Sequence, residues 1–259
     1  NNQPGYDAWI SRYGTGGAME WSTFYGGWPE WDLANGIAVR GGNVVLTGET
    51  TASNLPTQNP GGGAYYQPAP GGMQDGFIAR FATSGVLGWA TYVGGSDFDS
   101  VDEPVLDANG VLFVNGMTYS TDLPLVNPGG TTWFQPALAG MADFLIARFS
   151  PTAAMTWSTY YGGSGLEGMA GYYGKTLALD AQGRLSMTAQ TSAADFPLLN
   201  PGGGSFFLGT YAGNGDAVLM QFANDGTRLW STYMGLPSMD FGRSVAAAAN
   251  GCLFTVGEV

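Results

Sequence analysis

The sequence predicts an all-β fold, a β-propeller built from four-stranded antiparallel units, and three observations predict it. The motif D-x-x-I/L-x-x-F/Y begins at Asp7, Asp75, Asp143 and Asp216, two equal intervals followed by a slightly longer third. A second landmark moves with it: Trp21, Trp89, Trp157 and Trp230 lie in EWSTFYGG, GWATYVGG, TWSTYYGG and LWSTYMGL. Between landmarks each repeat holds four short apolar segments parted by turn residues, and none has a helical period. Strict self-similarity at this spacing marks a repeat architecture. Repeated four-stranded meanders with no helices are how a propeller protects its strand edges.

The repeats span 7–74, 75–142, 143–215 and an incomplete 216–259, within one propeller or propeller segment covering 1–259. The D-x-x-I stretch is expected as the third strand of a blade and W-S-T-Y as the fourth. The stretch around LALD is the first, and VVLTGET the second. In the second repeat these predict strands at 76–81, 87–93, 104–106 and 111–118. RGGN, DANG, DAQG and AANG are tight turns between first and second strands, and GTGG, ATSG, SPTA and ANDG between third and fourth. The long connections therefore all fall on the opposite face, namely the stretch after each Gly-Gly and the NPGG-containing stretch before each Asp. Function carried by loops belongs there. The third repeat is longer because of a five-residue insertion between Gly163 and Leu177.

Composition narrows the chemistry. Eight Lys and Arg stand against 20 Asp and Glu, a formal charge of −12, which argues against nucleic-acid and anionic-membrane partners. Charged residues make up only 11% of the chain, so Gly, Ser, Thr and Asn carry much of the surface, as suits an extracellular protein. There is no histidine, which removes Ser-His-Asp and Cys-His nucleophiles and imidazole zinc sites. Cys252, the one cysteine, forms no internal disulfide and is expected as a small buried apolar residue. No apolar run is long enough to span a bilayer. The start, NNQPGYD, has neither a basic nor an apolar signal region, so any export signal is expected to have been removed already.

DAWISRY, WSTYYGG, LALDAQG and QTSAADFP resemble the SBBP repeats, the seven-bladed β-propeller repeats of bacterial surface proteins. The resemblance covers nearly the whole chain and implies export, a surface location and further blades. Val39 and Ala248 depart from it where other repeats have Asp107 and Asp180, as does Leu236 where they have a second Gly.

The repeated Asp reads as turn chemistry, its side chain bonding nearby backbone N–H groups. The Trp column and Arg12, Arg80 and Arg148 read as packing between repeats, because a packing group has reason to recur once per repeat. Tyr65–Tyr66, Trp133–Phe134 and Phe206–Phe207 are expected to anchor the long loop. Unrepeated aromatics on the long-loop face are candidate ligand contacts: Trp28, Trp31, Tyr172 and Tyr173. Asp97, Asp99, Asp102 and Glu103 crowd one acidic loop with enough oxygens for calcium, or simply form a solvated loop. The aligned Pro29, Trp31 and Ala34 would make such a site unique to one repeat. No other cofactor is expected.

The expected function is a non-catalytic, exported bacterial surface or secreted propeller whose loop-rich face binds a glycan or protein. A structural spacer or cargo module of a larger surface protein is the alternative. A carboxylate glycosidase or lyase would draw on Glu30, Asp32, Asp99, Glu103, Glu167 and Asp240.

Overall fold

A computed structural model describes residues 5–168 and 175–259. All of its regular structure is β-strand, paired antiparallel, as the period-2 segments predict. A two-stranded sheet comes first, β1 (Ala8–Tyr13) with β2 (Met19–Tyr25). Three four-stranded sheets follow, each a simple meander. The first is β3 (Asp32–Arg40), β4 (Asn43–Thr50), β5 (Asp75–Ala82) and β6 (Leu87–Val93). The second is β7 (Pro104–Leu106), β8 (Leu112–Thr118), β9 (Asp143–Phe149) and β10 (Met155–Tyr161). The third is β11 (Leu177–Leu179), β12 (Leu185–Thr191), β13 (Asp216–Phe222) and β14 (Arg228–Met234). A last pair, β15 (Phe241–Ala247) and β16 (Leu253–Glu258), forms its own two-stranded sheet.

The strand order is the expected one, and the four strands expected for the second repeat lie within a residue of their places. A sheet, however, does not coincide with a sequence repeat. Each four-stranded sheet takes its first two strands from one repeat and its last two from the next, through a long connection that returns the chain antiparallel. Thr50 pairs with Asp75 and Thr191 with Asp216, so the repeated Asp opens the third strand opposite a Thr that closes the second. The register slips after Arg12, Arg80 and Gln221, residues that pair with Trp21, Trp89 and Trp230. A recurring bulge there bends the third strand into its tight turn.

Those turns are left-handed where expected: Gly17, Gly85 and Gly226 have φ of 80°, 88° and 85°, and SPTA places Ala153 at 66°. Gly226 meets a second demand, because a Cβ there would come within 2.8 Å of Thr132 and 2.9 Å of the Trp157 ring.

The chain divides into two compact units, residues 1–124 with 149–155, and residues 125–148 with 156–259. In the first, Ala8, Ile10 and Tyr25 of β1–β2 pack with Val44, Leu46, Phe77, Phe81 and Tyr92 of the following sheet, and Leu55 joins them from the long loop. Trp89, fully buried, meets Phe149 at 5.4 Å between centroids. Arg12 and Trp21 both donate to the Thr83 carbonyl, and Arg80 donates to that of Pro151. In the second unit Trp157 meets Phe222 at 5.7 Å, and Ala178, Leu219 and Val245 form a small core with Trp230 and Met234 beside it. Trp21, Trp89 and Trp157 therefore pack against a turn or a Phe one repeat ahead, as the packing reading required.

Two expectations need correction. Cys252 is exposed rather than buried, because it enters β16, an outer strand that no further strand covers among the described residues. The aromatic pairs are also unequal. Tyr65 packs on Phe149 and its carbonyl accepts from Trp89 Nε1, and Trp133 does the same with Tyr161 and Trp157. Phe206, by contrast, is 65% exposed and borders an open cavity.

Candidate functional site

The long connections bring together two different arrangements, one exposed and aromatic, one buried and acidic. Trp28 and Trp31 are 55% and 58% exposed, although a folded chain ordinarily covers rings of this size. Their backbone is nevertheless fixed. The Trp28 N–H donates to Asn54 Oδ1 (3.0 Å) while Asn54 Nδ2 donates to the Trp28 carbonyl (3.1 Å). The Trp31 N–H donates to the Thr51 hydroxyl, and the Thr51 N–H returns to the Trp31 carbonyl (3.0 Å). Tyr6, 68% exposed, sets its ring edge-on to Trp31 at 6.0 Å, and its carbonyl accepts from the Asp32 N–H (2.7 Å). Tyr6, Thr51 and Asn54 escaped the sequence reading because nothing in their spacing marks them; they act through the loop's return path. Tyr172 and Tyr173 lie outside the described residues.

The repeated Asp behaves as turn chemistry predicts. Asp75 accepts from the N–H groups of Gly71 (2.8 Å) and Gly72 (3.1 Å) and from Gln67 Nε2 (3.0 Å). Asp143 accepts from Ala139 and Gln135, and Asp216 from Ala212. Each pins the end of the long loop to the start of its own third strand.

A second acid faces it in each repeat. Asp32, Asp99, Glu167 and Asp240 follow the repeated Asp at a nearly constant interval, and all four are at most 1% exposed. The first Gly of each Gly-Gly lies between the two carboxyls. A Cβ on Gly94 would come within 2.9 Å of both Asp75 and Asp99, and on Gly26 within 2.6 Å of both Asp7 and Asp32. The glycine leaves just the space the two acids need. The second acid is held by loop N–H groups and by a hydroxyl. Asp32 accepts from Thr50 (2.5 Å) and Gly27, Asp99 from Ser120 and Gly95 (both 2.7 Å), and Glu167 from Thr191 (2.6 Å). Burial, which penalises the charged form, pushes Asp99 up to about 6 and Glu167 to about 8, against the opposing pull of these hydroxyl bonds.

One acid of the loop recurs in every repeat, while Asp102 and Glu103 have no acidic counterparts in the others. Asp99 corresponds to Asp32, Glu167 and Asp240; one extra residue after Gly27 hides the match when the repeats are aligned at a fixed interval. Nor do its four acids turn toward one point. Exposed Asp97 accepts its neighbour Phe98's N–H, Asp99 turns to Gly95 and Ser120, and Asp102 takes a bond from Asn35 (3.4 Å). Glu103 is buried beside Asn115. Of the acids considered for glycoside chemistry, Glu30 is exposed, while Asp32, Asp99, Glu103, Glu167 and Asp240 are buried. A 340 Å³ cavity in the second unit, lined by Phe206, Leu208, Met234, Leu236 and Val256 among others, contains none of them.

Compared with known proteins, the chain matches no family model and no curated sequence.

Proposed function

We propose that this chain is a non-catalytic propeller, or a segment of one, from an exported bacterial surface or secreted protein of the SBBP type. Its long-loop face binds a glycan through Trp28, Trp31 and Tyr6. One observation carries the reading: two tryptophans stand exposed on backbone that Asn54 and Thr51 hold in place. Rings fixed before the ligand arrives lose little freedom on binding, and their apolar faces match the C–H face of a sugar. The meander order of the three full sheets, with Trp21, Trp89 and Trp157 each reaching one repeat ahead, supports consecutive sheets as blades.

The spacer alternative has its own support. Trp9 and Phe24 on the first two-stranded sheet, and Phe254 and Val256 on the last, are 61% to 75% exposed. Exposure of this kind is expected if further sheets of a longer array cover them.

A polysaccharide and glycan screen of the chain, read by tryptophan fluorescence and repeated with calcium and with a chelator, separates the two. The glycan reading expects binding that weakens at least tenfold in Trp28→Ala/Trp31→Ala. Absence of binding in every condition overturns it in favour of the spacer.

A further inference from the structure

Asp143 and Glu167 lie within one compact unit and neither has any solvent exposure. Each spends one oxygen on donors: Asp143 Oδ2 on Ala139 and Gln135, Glu167 Oε1 on Thr191. The other two, Asp143 Oδ1 and Glu167 Oε2, have no hydrogen-bond partner. Both border the same small space over Gly162, where a methyl group would collide with Asp143 Oδ1 and lie 2.6 Å from Glu167 Oε2. Two acceptors thus face the same space, and among the described residues no donor bonds either of them.

Among the described residues no cation is paired with the two acids. Asp195 and Tyr233 face the same region, and none of the three ion pairs among the described residues includes Asp143 or Glu167. Two buried carboxylates that border one methyl-sized space do not both ionise readily, which favours a proton on one of them. A calcium ion would need six to eight oxygens, and among the described residues no third acidic side chain completes a metal-holding group here.

We propose that Asp143 and Glu167 form a proton-binding site, in which one proton from solvent bridges Asp143 Oδ1 and Glu167 Oε2. The pair then carries a single negative charge, and it clamps the 135–140 connection to the turn after Gly162. The arrangement recurs. Asp99 Oδ1, and Asp216 Oδ1 with Asp240 Oδ1, are likewise buried without partners. The Asp75–Asp99 pair is faced by Asp122, Tyr65 and Tyr92, and the Asp216–Asp240 pair by Tyr233. In the first repeat Asp7 is only half-buried, and solvent can screen the pair.

The sign follows from linkage. Burial raises Glu167 from 4.5 to about 8, so across that interval the folded chain holds more protons than the unfolded one. Stability is highest at the acid end and falls as pH rises through the interval. Glu49, which burial raises to about 7, adds to the same slope, so the measurement is a difference between variants.

The test is thermal unfolding of the full chain from about pH 5 to about pH 9, beside Glu167→Gln, in chelator and again in excess calcium. Gln supplies a permanent N–H where the proton sits. The variant should lose less Tm than the native chain as pH rises, and at the alkaline end its Tm should equal or exceed the native value. An infrared carboxylic-acid C=O band present near neutral pH should disappear from the native chain on alkalinisation and be weaker in the variant. An equally steep fall with a lower alkaline Tm overturns the proposal, as does calcium stabilising the native chain but not the variant. Should Glu167→Gln fail to fold, the infrared titration of the native chain decides alone: no protonated-carboxyl band near neutral pH sinks the proposal.

Discussion

Gly162 shows how much a single position decides. It is the first Gly of a Gly-Gly step that reads in sequence as ordinary turn punctuation, yet its missing Cβ is what lets Asp143 and Glu167 approach. Gly162→Ala must push two buried carboxyls apart in a packed region, and should cost about 1–3 kcal/mol in urea unfolding. Gly16 is the control, because a Cβ there meets nothing within 4 Å and its φ is not left-handed. Gly16→Ala should change stability by less than about 1 kcal/mol. The repeated Asp was legible at this scale, since an acid opening a strand after a Gly-rich loop announces its own turn bonds. Its partner was harder to pick out: Asp32, Asp99, Glu167 and Asp240 follow it at a nearly constant interval, but one is a Glu and an extra residue after Gly27 shifts another, and only folding shows them opposite the first acid.

Among the elements, the fourth strand carries the Trp that packs between repeats, and that Trp was recognisable because it recurs in phase with the Asp. Trp157 is 1% exposed, stacks against Phe222, covers Gly226 and donates to the Trp133 carbonyl. Trp157→Ala should therefore cost about 3–5 kcal/mol, measured as a shift in urea midpoint at unchanged slope. Trp9 lies on β1 and is 61% exposed. Its change to Ala should cost no more than about 0.5 kcal/mol. Strand boundaries were legible to within a residue in the second repeat because Gly, Asp and Asn mark the tight turns there.

For the whole molecule, the unit of sequence and the unit of folding are out of phase. A repeat such as 75–142 carries the last two strands of one sheet and the first two of the next, so it contains no complete sheet. Residues 32–93 do contain one, but the β3–β6 sheet packs Val44, Leu46, Phe77 and Phe81 against residues of β1–β2. Neither fragment should melt cooperatively by circular dichroism, whereas the full chain should. A sharp transition from 32–93 would show that one sheet is self-sufficient and that stacking contributes little.

What the sequence determined alone is what periodicity and turn chemistry encode locally: all-β structure, four strands per repeat, their order, tight turns on one face and long connections on the other. These follow from short-range rules, alternation of apolar residues and the demands of left-handed turns. Tertiary structure alone decided which side chains meet. It left Trp28 and Trp31 in solvent but fixed their backbone, exposed Cys252 where local composition suggested burial, and placed an acid from one side of each Gly-Gly against an acid from the other. Burial and charge pairing depend on the surroundings of a side chain, which residues far apart in the chain supply only once it has folded.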